Sequence, residues 1–124
     1  MKYRVILETK DGVLAVLIID GIKAPLCTSK LIGNIPSKCR VYRIGEGLVE
    51  IPLGASSILE KPTTRVEVGD VFYSPSTKSI YIALKSQRLT RRVTILGRLE
   101  HDEYLHTLRN LKEGLRVNIK VEAQ

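Results

Sequence analysis

The residues able to do chemistry in this chain are few and widely spaced. The two histidines, His101 and His106, are five positions apart, so a helix would place them on different sides rather than on one zinc-binding face. The two thiols, Cys27 and Cys39, have no Cys-x-x-Cys spacing, and each falls in an apolar segment typical of buried structural cysteine. No nucleophile stands beside a base. The sequence therefore predicts no metal site and no cofactor.

Positive charge is the second chemical feature. Twenty Lys and Arg residues stand against thirteen Asp and Glu, a net charge of +7. Residues 85–98 contain bases and no acids, and clustered arginines attract phosphate. A solvated basic surface is the favoured explanation of this segment, and nucleic-acid binding is the alternative. The arginines that would contact nucleic acid are Arg88, Arg91, Arg92 and Arg98.

Length and composition limit the kind of protein. The 124 residues predict a single domain over 1–124, and forty of them are Ile, Leu or Val, enough for a hydrophobic core. No apolar run has the length needed to cross a bilayer, and the first residues lack a signal-peptide pattern, so we expect a cytoplasmic protein. Many charged and β-branched residues with few His, Met and Cys are typical of a thermophile. The oligomeric state stays open.

Hairpin signals organise the first half of the chain. Apolar, β-branched runs over 3–9 and 13–19 flank Asp11-Gly12, which predicts a tight hairpin. The second run is seven consecutive apolar residues, so we expect a strand covered on both faces. The turn residues 45–47 separate strands over 39–44 and 48–51 and predict a second hairpin.

The rest of the chain continues the same pattern. Further strands are predicted over 64–68, 71–73, 79–84, 92–97 and 115–121. A short helix is predicted between residues 24 and 36, and a second one from Asp102, as its cap, to Gly114. Seven or eight short strands with two short helices indicate a mainly β protein, a closed antiparallel barrel or a sandwich.

The most specific motif of the chain is Val68-Gly69-Asp70-Val71-Phe72-Tyr73-Ser74-Pro75. It is accompanied by the helix start Ala24-Pro25, the strand residues Tyr42-Arg43 and the segment Ile95-Leu96-Gly97-Arg98. Together these segments resemble the small single-domain cyclophilin-like proteins, a mostly uncharacterised family of archaea and thermophilic bacteria. The resemblance spans nearly the whole chain and implies a closed cyclophilin-like β-barrel with two short helices at its open ends.

The resemblance also implies a site. Arg43 resembles the arginine with which cyclophilins isomerise peptide bonds before proline, and it is the only candidate for a catalytic role. Leu48 resembles the apolar pocket wall, whereas Ile51 stands where cyclophilins carry a substrate-positioning glutamine. We therefore expect a groove near Arg43 that binds a peptide or small ligand with weak or no isomerase activity; an active isomerase is the alternative. The residues expected to bind the ligand are Tyr42, Arg43, Leu48, Phe72, Tyr73 and Tyr81.

Overall fold

A computed structural model describes all 124 residues and contains nine strands and two short helices. The strands are β1 Lys2–Thr9, β2 Gly12–Asp20, β3 Lys38–Ile44, β4 Leu48–Pro52, β5 Thr63–Val66, β6 Asp70–Ser74, β7 Ser79–Ala83, β8 Gln87–Leu99 and β9 Leu115–Ala123. The helices are α1 Pro25–Ile32 and α2 Tyr104–Arg109. Both predicted hairpins are present, with Gly12 (φ 122°) and Gly45 (φ 61°) supplying the left-handed turn conformations.

Eight of the strands form a closed antiparallel barrel. Around the ring their order is β2-β1-β9-β3-β4-β7-β6-β8, and pairing of β8 with β2 closes it. Closure leaves no free edge among these eight strands. The predicted closed barrel with two short helices is confirmed.

A glycine permits the closing contact. Gly97 of β8 lies opposite Ile19 of β2, and a Cβ added to it would stand 1.8 Å from the carbonyl oxygen of Ile18. No side chain fits there, because backbone cannot retreat without breaking the pairing. Gly97 is therefore required for the barrel to close.

The hydrophobic residues divide into an interior cluster and an outer cluster. The interior cluster fills the barrel and includes Leu7, Leu17 and Val41. The remaining strand, β5, pairs only with β8 and lies over the outside of the wall. The outer cluster is buried there, and its members are Val66, Phe72, Tyr81, Ala83 and Val93. We call β5 and residues 87–93 of β8 the flap.

Both helices are short, and they contact strands of the barrel: α1 contacts β8 and α2 contacts β2. The second helix is shorter than predicted, because it begins at Tyr104 and ends at Arg109, whereas Gly114 (φ 66°) forms a turn before β9. Asp102 does not cap the helix; its Oδ1 lies 3.8 Å from Nη2 of Arg98.

Residues 14–17 of β2 are all buried, as expected for a strand covered on both faces. Neither helix has the length and apolar character that crossing a bilayer would require.

Candidate functional site: a basic cleft in the barrel wall

The residues predicted from the resemblance lie on different faces of the wall. Tyr73 points into the barrel, where its hydroxyl donates to the carbonyl oxygen of Ala55 (2.7 Å) and accepts from the amide of Ser57 (3.1 Å). Burial raises the pKa of this tyrosine. Its polar atom is thus satisfied within the protein, and Tyr73 ties the loop before β5 to the barrel.

The neighbouring aromatic residues face outward beneath the flap. The rings of Phe72 and Tyr81 stack at 5.4 Å with 12° between their planes, and only 1% and 8% of these residues are exposed. The Tyr81 hydroxyl lies 2.8 Å from Oγ1 of Thr77 and 3.3 Å from Oε2 of Glu50. Burial is the main cause that raises the pKa of Tyr81. Phe72 and Tyr81 therefore belong to the outer cluster that is buried beneath the flap.

Two further predicted residues, Tyr42 and Leu48, lie half-buried on β3 and β4. Leu48 packs against the outer cluster, and Tyr42 stands opposite Glu50 across the sheet. Directly opposite residues of an antiparallel pair share a face, so Tyr42 is on the outside of the wall with Glu50 and Tyr81.

Arg43 has the other orientation. It lies opposite Val49, an interior residue, and so faces inward at one end of the barrel. Its Nη1 donates to the carbonyl oxygen of Arg109, the last residue of α2, and its Nη2 donates to that of Gly45 (3.2 Å). A cation at a helix C-terminus is stabilising. Arg43 therefore ties β3 to α2, and the six predicted residues do not share one groove.

A cleft opens at the other end of β3, where two strand pairings part. Strand β9 pairs with β3 over residues 115–118, but with β1 only from Asn118 onward. The β1–β2 hairpin has a register shift between Leu7 and Glu8, and bulges of this kind bend a strand. The hairpin tip therefore departs from the first residues of β9 and leaves a gap in the wall.

This basic cleft has a volume of about 650 Å³. Three segments line it: residues 8–11 at the hairpin tip, residues 38–40 of β3 and residues 115–118 of β9. A volume of this size is within the range of small-molecule sites. The cleft therefore has room for a metabolite rather than for a single ion.

Four cations and two carboxylates line the cleft. Arg40 and Arg116 lie directly opposite each other across β3 and β9, and both are exposed. Arg40 donates from Nη1 to the carbonyl oxygen of Gly114 (3.1 Å), and neither arginine takes part in any ion pair of the structure. Like charges directly opposite in a sheet are destabilising. The molecule thus keeps an unfavourable pair at the cleft.

The remaining charges and the thiol complete the site. Lys10 and Lys38 add two cations, whereas Glu8 is held by Nζ of Lys120 at 3.0 Å. Asp11 is the second carboxylate of the lining. Cys39 is half-buried against the interior cluster, and desolvation raises the pKa of its thiol.

Sequence reasoning missed this cleft. Residues 38–40 and 115–118 are far apart in the chain, and no local pattern indicates that these two strands pair. The alternation of bases with apolar residues in each strand is the only signal, and it does not name the partner strand.

The acidic segment 100–103 makes contacts within the protein that stabilise the fold. Glu100 accepts from Nε and Nη2 of Arg4 at 2.8 and 3.2 Å, and these hydrogen bonds are the main cause that lowers the pKa of Glu100. His101 stacks obliquely near Tyr104. No three His, Cys, Asp or Glu side chains come together anywhere in the chain as a possible metal site.

The fold and the site together describe a closed antiparallel barrel with a basic cleft in its wall. No protein-family model matches the sequence, and no curated protein matches it. Several solved structures are similar in fold, and two of them illustrate the likeness. The hypothetical protein AF2241 from Archaeoglobus fulgidus has a TM-score of 0.67 at 18% identity, covering 97% of this chain and 93% of AF2241. McbB, solved in complex with tryptophan, has a TM-score of 0.66 at 11% identity, covering 98% of this chain but only 44% of McbB.

Proposed function

We propose that this protein binds a small anionic ligand in the basic cleft. The observation that carries the proposal is the pair Arg40 and Arg116, which face each other across two strands without a carboxylate partner. Repulsion between the two guanidinium groups lowers the stability of the free protein. An anion bound between them would attract both groups and so offset the repulsion. Guanidinium groups suit this role because they bind carboxylate and phosphate with two donors at once.

The rest of the lining suggests the ligand's shape. Lys10 and Lys38 extend the cationic side, whereas the half-buried Leu115 and Cys39 supply apolar contacts for the body of the ligand. Asp11 would accept hydrogen bonds from an ammonium or hydroxyl group. Amino acids and phosphorylated metabolites both have this character, and the tryptophan bound by McbB makes an amino acid a reasonable probe.

This proposal places the ligand beside the strand that carries Arg43, but at its opposite end. Nη1 and Nη2 of Arg43 each donate to a backbone carbonyl, and its Nε is buried without a partner, so the guanidinium is held against α2 and the turn after β3. Arg40 donates one hydrogen bond to the carbonyl oxygen of Gly114, and its other N–H groups are available to an anion.

Binding is tested by calorimetry with inorganic phosphate, pyrophosphate, acetate and L-tryptophan. Charge-assisted hydrogen bonds are worth about 1.5–3 kcal/mol each, so the loss of two in Arg40→Gln with Arg116→Gln should weaken binding by about 100-fold or more. The matched control is Lys23→Gln with Lys30→Gln, which removes the same charge from two exposed lysines that line neither the basic cleft nor the flap. Equal weakening by both double variants, or no binding by any of these probes, would contradict the proposal.

For the isomerase activity suggested by the cyclophilin resemblance, we propose that it is weak or absent. Catalysis of this kind needs a guanidinium that reaches the proline nitrogen, and Arg43 is instead bonded to Gly45 and Arg109. The test is cis–trans exchange of a proline tetrapeptide at high protein concentration. A rate equal to the uncatalysed one is expected, and an acceleration that Arg43→Ala abolishes would contradict it.

A further inference from the structure

A second basic surface lies on the exposed face of the flap. Arg65 of β5 and Arg88 of β8 stand directly opposite each other, and both are exposed. Opposed like charges are unfavourable here as they are at the basic cleft. The inner face of the flap packs on the outer cluster through Val66 and Val93, which fixes the backbone that carries these arginines.

An enlarged bulge adds two more arginines. Thr63 pairs with Val93 and Arg65 with Arg88, so the four residues 89–92 of β8 stand opposite the single residue Thr64. Bulges re-aim side chains and occur often beside functional sites. Arg91 and Arg92 lie in this bulge, both exposed.

The bulge borders a depression of about 360 Å³. Arg91 and Arg92 line it together with the hydroxyl residues Ser76 and Thr90. Guanidinium and hydroxyl groups are the donors that proteins commonly direct at phosphate oxygens. The depression is thus suited to a single phosphate group of a larger ligand.

These four arginines are free of acidic partners. No ion pair of the structure involves Arg65, Arg88, Arg91 or Arg92. Arg98, which the sequence groups with them, lies within 3.6 Å of Asp70 and 3.8 Å of Asp102 and is therefore already neutralised. The unpaired basic surface of the flap therefore excludes Arg98 and includes Arg65, which lies outside residues 85–98 in the sequence.

From this arrangement we infer that the flap binds the phosphate backbone of double-stranded nucleic acid. Four exposed arginines without acidic partners, all carried by the flap, match a dense array of phosphates, because a duplex presents about one charge per 1.7 Å of its axis. The aromatic residues nearest the flap, Phe72 and Tyr81, are buried beneath it, so they offer no platform for unstacked bases. Recognition is then electrostatic and independent of base sequence.

The experiment measures fluorescence anisotropy of a short labelled duplex from 50 to 200 mM salt. Four phosphate contacts give a slope of log K against log salt of about −3.6, which is roughly a 100-fold loss of affinity over that range. The variant with Arg65, Arg88, Arg91 and Arg92 all changed to Gln should lose most of this binding and flatten the slope. A control with the same charge change away from the flap carries Gln at Lys2, Lys23, Lys30 and Lys112.

The outcomes separate the inference from its rivals. Loss of duplex binding in the flap variant but not in the lysine control supports it, and binding by both DNA and RNA duplexes is expected. Equal weakening in both variants would show that net charge alone acts, and would overturn the inference. It would also be overturned by no binding at low salt, or by tighter binding to single strands or to vesicles of anionic lipid than to the duplex.

Discussion

Replacing Arg116 by glutamate should make the protein more stable and abolish its anion binding at the same time. Arg116 stands directly opposite Arg40 in the sheet, and no carboxylate pairs with either. The change converts a repulsive cross-strand pair into an attractive one. It also replaces a cation of the basic cleft by an anion.

The magnitude follows from the position of the pair. Cross-strand charge pairs contribute about 0.2–1 kcal/mol in either direction, and exposed pairs lie in the lower part of that range. Reversing one charge both removes the repulsion and adds an attraction of similar size. Arg116→Glu should therefore raise the free energy of unfolding by about 0.5–1 kcal/mol. For a chain of 124 residues this raises Tm by about 2–4 °C.

Thermal and urea unfolding at low salt measure the stability, and calorimetry with inorganic phosphate measures the binding. Arg116→Gln should give about half of the stabilisation, because it removes the repulsion without adding attraction. Lys112→Glu, in the turn before β9, controls for net charge. At 1 M salt the gain should vanish, since exposed charges are then screened. A lower Tm in Arg116→Glu, or phosphate binding equal to wild type, would refute the reasoning.

Three further predictions concern closure, the thiols and pH. Gly97→Ala should cost more than about 3 kcal/mol or prevent folding, because its Cβ would collide with the β2 backbone. Gly33→Ala, with open space and φ of −72°, should instead stabilise the protein in urea unfolding by about 0.4–1 kcal/mol, because alanine reduces the entropy of the unfolded chain. Cys39 should be alkylated faster than buried Cys27 in the native protein, as measured by mass spectrometry, and phosphate should protect Cys39 alone. Both rates should rise at higher pH than for a free thiol, because the thiolate is the reactive form and burial raises both pKa values. The pKa of Glu100 is lowered by its arginine partner, so its stabilisation is complete above the ordinary carboxyl pKa of about 4.3 and is lost as pH falls through the lowered value. Glu100→Gln should therefore lose less stability than wild type between pH 7 and pH 3 in urea unfolding; an unchanged pH dependence would contradict the assignment.

Local signals were sufficient for most of the fold. Asp11-Gly12 and residues 45–47 place two hairpins because turn chemistry acts between neighbours in the chain, and Pro25 and Gly33 bound the first helix in the same way. The second helix stops at Arg109 rather than at Gly114, because carbonyl oxygens of its last turn are satisfied by side chains: Nδ2 of Asn110 donates to that of His106, and Nη1 of Arg43 donates to that of Arg109.

The arrangement of the site depends on contacts that no local pattern encodes. Phe72 and Tyr73 are adjacent on a strand, so one must face outward and the other inward, yet which one does so depends on where β5 lies. The pairing of Arg40 with Arg116 joins residues 76 positions apart. Arg43 meets the end of α2 through a hydrogen bond between residues 66 positions apart.

The central claim is that an anion binds where β1 departs from β9. An NMR titration of the isotope-labelled protein with inorganic phosphate and with L-tryptophan tests it most directly, because each backbone amide reports its own surroundings. We predict saturable shifts concentrated in residues 8–11, 38–40 and 115–118. Shifts confined to the Arg43 end of the barrel, or no saturable shift in those three segments with either probe, would contradict the claim.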